Sequence, residues 1–117
     1  MPLLTEGNRF LIDQLKNRIN QVVFGFDGTL ATSEDGGAGR PAYVATPTVR
    51  VMDDHSILVE AVLPLTSAFD IPLKEVCVQY QNPNDPTDTT VLFRYTYRAV
   101  TKTQNNELRF AVIIEVN

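Results

Sequence analysis

Acidic residues and one histidine are the side chains of this sequence that could hold a metal ion. His55 directly follows two aspartates, but adjacent residues of a turn cannot all point at one ion, and the sequence has no second histidine or cysteine cluster. Asp27, Glu34 and Asp35 could bind calcium in a glycine-rich stretch, yet the spacing of an EF-hand is absent. The sequence therefore predicts a solvated turn histidine, no metal and no cofactor.

A second candidate for chemistry is the apolar stretch Val22–Leu30, which contains Gly25-Phe26-Asp27-Gly28-Thr29. It resembles the first motif of haloacid-dehalogenase-like phosphatases, an apolar strand that ends in Asp-x-Asp-Gly-Thr. The first carboxylate of that motif is the nucleophile and helps to hold Mg²⁺, whereas Gly25 has no side chain and only the acid/base position, Asp27, is kept. The chain also lacks alternating βα units. We predict that it is not an enzyme, and that Gly25 and Gly28 allow backbone bends.

Aromatic residues alternate with arginines near the C-terminus. Phe93, Tyr95 and Tyr97 interleave with Arg94 and Arg98. Such a strip can stack bases or sugars, and it is equally typical of a half-buried sheet face with arginines outside. The acidic net charge favours the second interpretation.

Composition limits the classes of function. The 117 residues predict one domain, 1–117, and the hydrophobic fraction of 44% is enough for a core. A net charge of -4 with scattered basic residues argues against nucleic acid. No apolar run of membrane-spanning length and no secretory signal are visible. The single cysteine, Cys77, excludes an internal disulfide, and its position between valines predicts a buried thiol.

Hydrophobic periodicity predicts one amphipathic helix, Pro2–Ile19, with Thr5 as its N-cap. Its apolar stripe is made of Phe10, Leu11, Ile12, Leu15 and Ile19. About six strands follow. They are Gln21–Phe26, Tyr43–Met52, Ile57–Leu65, Glu75–Gln81, Thr89–Lys102 and Glu107–Val116. The polar turn 53–56 predicts a hairpin of the second and third strands, and Pro47 predicts an edge or a bulge there.

The last two strands carry apolar residues at every second position, and a polar segment, 103–106, joins them. We therefore expect these two strands to form a hairpin, the largest apolar surface of the chain. The predicted fold class is α+β, a mostly antiparallel β-sheet or sandwich with one N-terminal amphipathic helix.

Two polar stretches predict loops. Asp27–Pro41 is rich in Gly, Asp, Thr and Ser, and Asn82–Asp88 contains prolines, aspartates and asparagines. We expect loops at 25–41 and 82–90 to order against a partner while the hairpins stay rigid. The candidate contact residues are Gly25, Asp27, Gly28, Thr29, Gly37, Arg40, Asn82, Asp85 and Asp88.

The order of features along the chain resembles the N-terminal adaptor domain of phage tail-collar fibre proteins. Those domains open with a Leu-Thr-x-x-Gly helix, matched here by Leu4-Thr5-Glu6-Gly7, and continue through a strand into a Gly-Thr-rich acidic loop, here Phe24 to Asp35. An isoleucine-x-x-x-Glu-Val segment follows, here Ile71 to Val76, after the strands Thr48–Leu65. A final pair of strands has a lysine near its bend, Lys102, and ends in Ile114-Glu115-Val116.

This resemblance implies a structural virion protein of a phage tail, made in the host cytoplasm. The sequence ends where a fibre shaft would begin, so we expect a stand-alone version or an excised domain. It would act as a baseplate or collar component, or as a connector that attaches fibres. The implied partners are other tail proteins and further copies of the chain, for which a trimer is one arrangement. The alternative from another class is a small carbohydrate- or peptide-binding β-module that uses Tyr80, Tyr95 and Tyr97.

Overall fold

A computed structural model describes residues 4–32, 36–64, 68–69 and 71–116. The elements are α1 (Thr5–Arg18), β1 (Gln21–Gly25), β2 (Pro41–Ala45), β3 (Thr48–Asp53), β4 (Ser56–Leu63), β5 (Leu73–Asn82), β6 (Asp85–Val100) and β7 (Leu108–Glu115). Every pair of neighbouring strands is antiparallel. The chain has the predicted α+β fold, mostly β, with one helix at its N-terminal end.

The strands form two sheets. Sheet A has the order β2-β1-β5-β6, and sheet B has the order β3-β4-β7. From Ile57 to Leu63 of β4, alternate residues are buried and the residues between them are half-buried. The ring of Phe24 on β1 meets that of Phe110 on β7 edge to face at 6.3 Å, and Tyr95 on β6 lies 6.2 Å from Phe110. The core therefore lies between two facing sheets.

The predicted C-terminal hairpin is wrong. β6 pairs with β5, and β7 pairs with β4, so the two strands belong to different sheets. Their apolar faces meet across the core, as the contact between Tyr95 and Phe110 shows. The periodicity identified the inner face of β7 correctly. In β6 it holds for Phe93, Tyr95 and Tyr97, but the register shift beside Phe93 turns Val91 to the outer face, and Ala99 is exposed. Periodicity also does not say whether two such strands pair edge to edge or face to face.

Two other predicted boundaries are also wrong. The predicted strand Tyr43–Met52 is divided at 46–47 into β2 and β3, which lie in different sheets because Pro47 interrupts the ladder. The predicted loop Asn82–Asp88 is a two-residue turn, since β5 ends at Asn82 and β6 begins at Asp85. The hairpin of β3 and β4 is confirmed.

The helix α1 lies against parts of both sheets. Arg9 forms an ion pair with Asp54 at the β3–β4 turn, and the Arg18 guanidinium lies over the ring of Tyr80 on β5. The N-cap is Leu4 without a side-chain hydrogen bond, so the expected cap at Thr5 is wrong. Ile12 is fully buried, whereas Phe10 of the predicted stripe is 62% exposed. The predicted helix start, Pro2, and the predicted strand end, Leu65, lie outside the described residues.

Candidate interaction surfaces

The first candidate surface is the loop 26–40, between β1 and β2. Phe26 donates a backbone hydrogen bond to the Arg40 carbonyl at 2.9 Å, which closes the base of the loop. Ser33, Glu34 and Asp35, including two of the three carboxylates considered for calcium, lie outside the described residues. Four of the predicted contact residues, Gly25, Asp27, Thr29 and Arg40, converge on β5 and β6 rather than pointing away from the sheet.

The group on which they converge is Glu75 of β5, which is fully buried. Its Oε2 accepts hydrogen bonds from the backbone N–H of Asp27 at 2.7 Å and of Arg40 at 3.0 Å. Its Oε1 accepts from the N–H of Gly39 at 2.8 Å and from Nε of Arg94 at 3.1 Å. Both carboxylate oxygens are thus satisfied twice, which a buried charge requires.

Arg94 of β6 completes this arrangement from the other side. Its side chain is 5% exposed. Nη1 donates to the Thr29 carbonyl at 2.9 Å, and Nη2 donates to the Asp27 carbonyl at 3.1 Å. The arginine therefore bonds both the carboxylate of Glu75 and the loop backbone. The expectation that a partner orders this loop is wrong for Asp27, Thr29, Gly39 and Arg40, because Glu75 and Arg94 of the same chain hold them. We refer to Glu75, Arg94 and the backbone of Asp27, Thr29 and 39–40 as the Glu75–Arg94 clasp.

The protonation equilibrium of Glu75 reflects this environment. Burial alone raises the pKa of a carboxyl group, but the backbone donors at Arg40, Asp27 and Gly39 and the side chain of Arg94 outweigh it. The net effect lowers the pKa of Glu75 below its ordinary value. Glu75 is therefore charged at neutral pH, and its charge stabilises the folded loop.

Glycine is required at the clasp for close approach. A Cβ at Gly25 would lie 2.6 Å from Oε2 of Glu75 and 2.7 Å from the carbonyl oxygen of Arg40. A Cβ at Gly39 would overlap the carboxylate of Asp27. Gly37 has a φ of 146°, the only positive φ among the described residues. The bend expected at Gly25 is thus mainly a place where the loop backbone reaches the buried carboxylate.

The rest of the loop lies over the outer face of sheet A. A shallow depression of about 530 Å³ is bounded by loop residues 36–38 and by side chains of the sheet that include Val23, Gln79 and Val91. Val23 and Cys77 are buried, and the expected burial of Cys77 is confirmed. Gly28 and Thr29 remain exposed.

The second candidate surface is the tip of the β5–β6 hairpin, residues 82–90. Oδ1 of Asn82 accepts from the N–H of Asn84 at 3.0 Å, and its Nδ2 donates to Asp88 at 3.1 Å. Oδ1 of Asp85 accepts from the N–H of Thr87 at 3.1 Å and from its hydroxyl at 2.7 Å. These exposed bonds join residues of the tip alone. Because Glu75 and Asn82 are seven residues apart on β5, the clasp and the tip are separated by roughly 23 Å along the strand.

His55 and the two aspartates before it lie at the turn between β3 and β4. Asp53 accepts from the N–H of His55 and the hydroxyl of Ser56, and Asp54 binds Arg9. Within residues 4–32, 36–64, 68–69 and 71–116, no group of three His, Cys, Asp or Glu side chains could hold a metal ion. In the same ranges, no helix is long and apolar enough to span a membrane.

The three tyrosines of the alternative binding module do not form one exposed platform. Tyr95 stacks on Phe93 at 6.3 Å and packs against the core, and burial raises its pKa. Tyr97 donates from its hydroxyl to the Glu75 carbonyl at 3.3 Å, and burial, with the nearby charge of Glu75, raises its pKa to about 12. Tyr80 lies under Arg18.

No protein-family model matches the chain, and no curated protein or solved structure is significantly similar to it.

Glu75 and Arg94 were not among the contact residues predicted from sequence. One signal was present: Glu75 is a carboxylate at the start of a run of apolar strand residues, where a charge needs partners. The glycine-rich loop supplies backbone N–H groups, and Arg94 supplies a cation. The sequence does not reveal that the three segments meet, because they are separated by 19 to 67 positions.

Proposed function

We propose that this chain is a structural component of a phage tail, a baseplate or collar protein or a connector that attaches fibres. It acts by contact, not by catalysis. The observation that carries the proposal is the Glu75–Arg94 clasp, which holds the described ends of the loop 26–40 against β5 and β6 through bonds within the chain. A preorganised loop loses little conformational entropy when it binds a partner.

The clasp also joins two of the segments on which the resemblance to tail-collar adaptor domains depends. One is the Gly-Thr-rich loop that begins at Gly25, and the other is the stretch from Ile71 to Val76, which contributes Glu75. These stretches are distant in sequence and adjacent in space. Their contact supports the interpretation that they belong to one structural unit.

The proposed contact surface comprises the exposed part of the loop, with Gly28 and Thr29, and the hairpin tip, with Asn82, Asp85 and Asp88. Both are polar and, apart from the half-buried Asn82, exposed, as expected for the rim of an interface between virion proteins. Lys74 lies beside Gly28, because a Cβ at Gly28 would be 3.2 Å from its side chain. The lysine therefore provides a chemical probe of the loop surface.

The test is cross-linking of intact particles with a lysine-reactive reagent, followed by mass spectrometry. We expect cross-links between Lys74 and a different tail protein, at a fixed number of copies per particle. A matched control is Lys16, whose exposed side chain lies on α1 and belongs to neither candidate surface. Absence of the chain from purified tails would contradict the proposal, and cross-links from Lys16 alone would contradict the assigned surface.

One observation favours the alternative β-module in its peptide-binding form. A cleft of about 430 Å³ opens between β6 and β7, lined mainly by apolar side chains that include Tyr95, Tyr97 and Phe110. Such a lining suits apolar side chains of a peptide better than sugar hydroxyls. If this function holds, Tyr95→Ala abolishes peptide binding by a protein that still folds. A connector loses tail assembly or stability instead, because Tyr95 packs against the core.

A further inference from the structure

The two sheets end in four edge strands, and three of these are interrupted. Between Phe24 and Gly25 the partner strand β2 carries one extra residue, and β3 carries one extra residue before Asp53. β6 has extra residues at all three of its register shifts. Bulges of this kind twist an edge away and protect it from pairing with another chain.

The fourth edge strand, β7, has none of these protective features. It pairs with β4 over eight consecutive residues, from Leu108 opposite Leu63 to Glu115 opposite Ser56, without a register shift. It contains neither proline nor lysine. Its other edge pairs with no strand among the described residues. A long, regular and apolar edge strand is a template for pairing.

The backbone groups of β7 that face the free edge can be identified. Val116 donates its N–H to the His55 carbonyl at 2.7 Å, so it points towards β4. Directions alternate along a strand that is hydrogen-bonded on one side. Hence the backbone N–H and C=O groups of Val112 and Ile114 also point towards β4. The same groups of Arg109, Ala111, Ile113 and Glu115 point to the free edge.

The side chains on that strand are also suited to a partner. Ile113 is 55% exposed on the outer face of sheet B. On the inner face, Phe110 and Val112 are half-buried and line the cleft between β6 and β7. Pairing of another strand at this edge would cover apolar side chains on both faces.

We propose that β7 pairs antiparallel with β7 of a second copy of this chain, about a two-fold axis that passes Val112. In this register Arg109 lies directly opposite Glu115 of the second copy, and the opposite-charge pair occurs twice by symmetry. Ala111 lies opposite Ile113, and Phe110 lies opposite Ile114. The result is a continuous six-stranded sheet, in which four facing residue pairs exchange about eight backbone hydrogen bonds.

The charges of Arg109 and Glu115 favour an axis at Val112 over an axis at either adjacent residue. A two-fold axis perpendicular to the sheet must pass a residue, since an axis between residues would place inner side chains opposite outer ones. An axis at Ala111 places Glu107 opposite Glu115, a like-charge pair, and an axis at Ile113 removes Arg109 from Glu115. Like charges directly opposite one another are destabilising. The existing Arg109–Glu107 ion pair, at 2.8 Å, is exposed and therefore weak, so it does not fix Arg109.

The two-fold contact does not depend on the proposed tail function, and it gives a dimer rather than the trimer that the family resemblance allows. Native mass spectrometry and sedimentation of the purified full chain test it. We expect twice the chain mass of 13.1 kDa. A monomer at high protein concentration, or a trimer, would overturn the proposal.

A charge reversal tests the register. Arg109→Glu places Glu opposite Glu115 at both symmetric positions, and we expect the dissociation constant of the dimer to rise about tenfold. The double variant Arg109→Glu with Glu115→Arg restores the opposite charges and should restore the dimer. The matched control is Arg98→Glu, an exposed residue of β6, with the same change in net charge. A dimer that is insensitive to Arg109→Glu would overturn the assigned contact.

Cysteine substitutions locate the axis independently of charge. Val112→Cys places two thiols across a non-hydrogen-bonded pair, with Cα atoms about 4.5 Å apart, which permits a disulfide. Oxidised glutathione should therefore cross-link Val112→Cys, and leave Ala111→Cys and Ile113→Cys as monomers on a non-reducing gel. The native Cys77 is fully buried in the fold and serves as the background. Cross-linking at 111 or 113 instead, or at none of the three positions, would overturn the register.

Discussion

The loop 26–40 and the hairpin tip 82–90 have similar compositions, but different kinds of contact hold them in place. The loop is bonded to residues far away in sequence: its backbone meets Glu75 and Arg94, which are 35 to 67 positions distant. The side-chain bonds of the tip span two to six positions, and its backbone pairs, such as Gln81 with Thr89, lie within the same hairpin. Glycine and aspartate content therefore does not distinguish a loop held by distant residues from one bonded within its own hairpin. In the loop 26–40 the distant partners are Glu75, a buried charge on β5, and Arg94 on β6.

Removal of Glu75 gives the largest expected effect. Glu75→Ala leaves Arg94 buried without its carboxylate and leaves three backbone N–H groups without an acceptor, so the free energy of unfolding should fall by about 3–5 kcal/mol. Urea unfolding measures this change. Hydrogen exchange should show the amides of Asp27, Gly39 and Arg40 losing protection in the variant, while the amides of the tip are unchanged.

The matched control for that experiment is Glu60→Ala on β4. Glu60 is a half-buried strand glutamate with no ion pair or side-chain hydrogen bond to the described residues, and its removal should change stability by less than about 1 kcal/mol. Equal effects of the two substitutions would mean that the clasp does not hold the loop.

Addition of one methyl group at the clasp has a smaller effect. Gly25→Ala forces Glu75 or Arg40 to move, because the new Cβ would be 2.6 Å and 2.7 Å from their atoms. We expect a loss of about 1–3 kcal/mol, measured by thermal or urea unfolding. Gly36→Ala is the control, since no atom lies within 4 Å of its Cβ position. A neutral Gly25→Ala variant would show that the loop backbone can withdraw from Glu75 without loss.

The contribution of Glu75 to the free energy of unfolding should depend on pH. Glu75 has a lowered pKa in the folded state, so its contribution is fully present above its ordinary pKa of 4.5 and is lost as pH falls through the lowered value. The difference in unfolding free energy between the wild type and Glu75→Gln should therefore shrink as pH falls below 4.5. The other acidic residues are common to both proteins and cancel. A constant difference across this range would show that the charge of Glu75 is not linked to folding.

The smallest effect on stability is expected at the tip. The double substitution Asn82→Ala with Asp85→Ala removes only exposed local bonds, and unfolding should change by less than about 1 kcal/mol. If the tip is a contact surface for a tail partner, the same variant should fail to join tail particles in a reconstitution assay. Normal incorporation would remove the tip from the proposed surface, and a large loss of stability would contradict its local character.

Much of the fold could be predicted from periodicity. The burial of Cys77 and the turn between β3 and β4 follow from the apolar strand pattern and from turn residues. Alternation cannot determine which strand lies beside which, and the predicted hairpin of β6 and β7 failed for this reason. The connection from β6 to β7 crosses from one sheet to the other, and no local residue pattern distinguishes it from a long turn.

The candidate surfaces were predictable in position but not in character. The sequence located Gly25, Asp27, Thr29 and Arg40 in a loop, and the structure brings these four residues together. Glu75 and Arg94 hold these residues in place, but in the sequence they appear only as one acid and one base on predicted strands. Only the pairing of β5 with both β1 and β6 places the two charges under the loop.

The position of β1 in sheet A has a consequence for synthesis. β1 lies between β2 and β5, and the β3–β4 hairpin of the other sheet is encoded between β2 and β5. A nascent polypeptide must therefore carry β1 with one hydrogen-bonded neighbour until β5 leaves the ribosome. Pairing over such sequence distances is slow, so early chains expose Val22 and Phe24, and chaperone binding during translation should be concentrated on that segment.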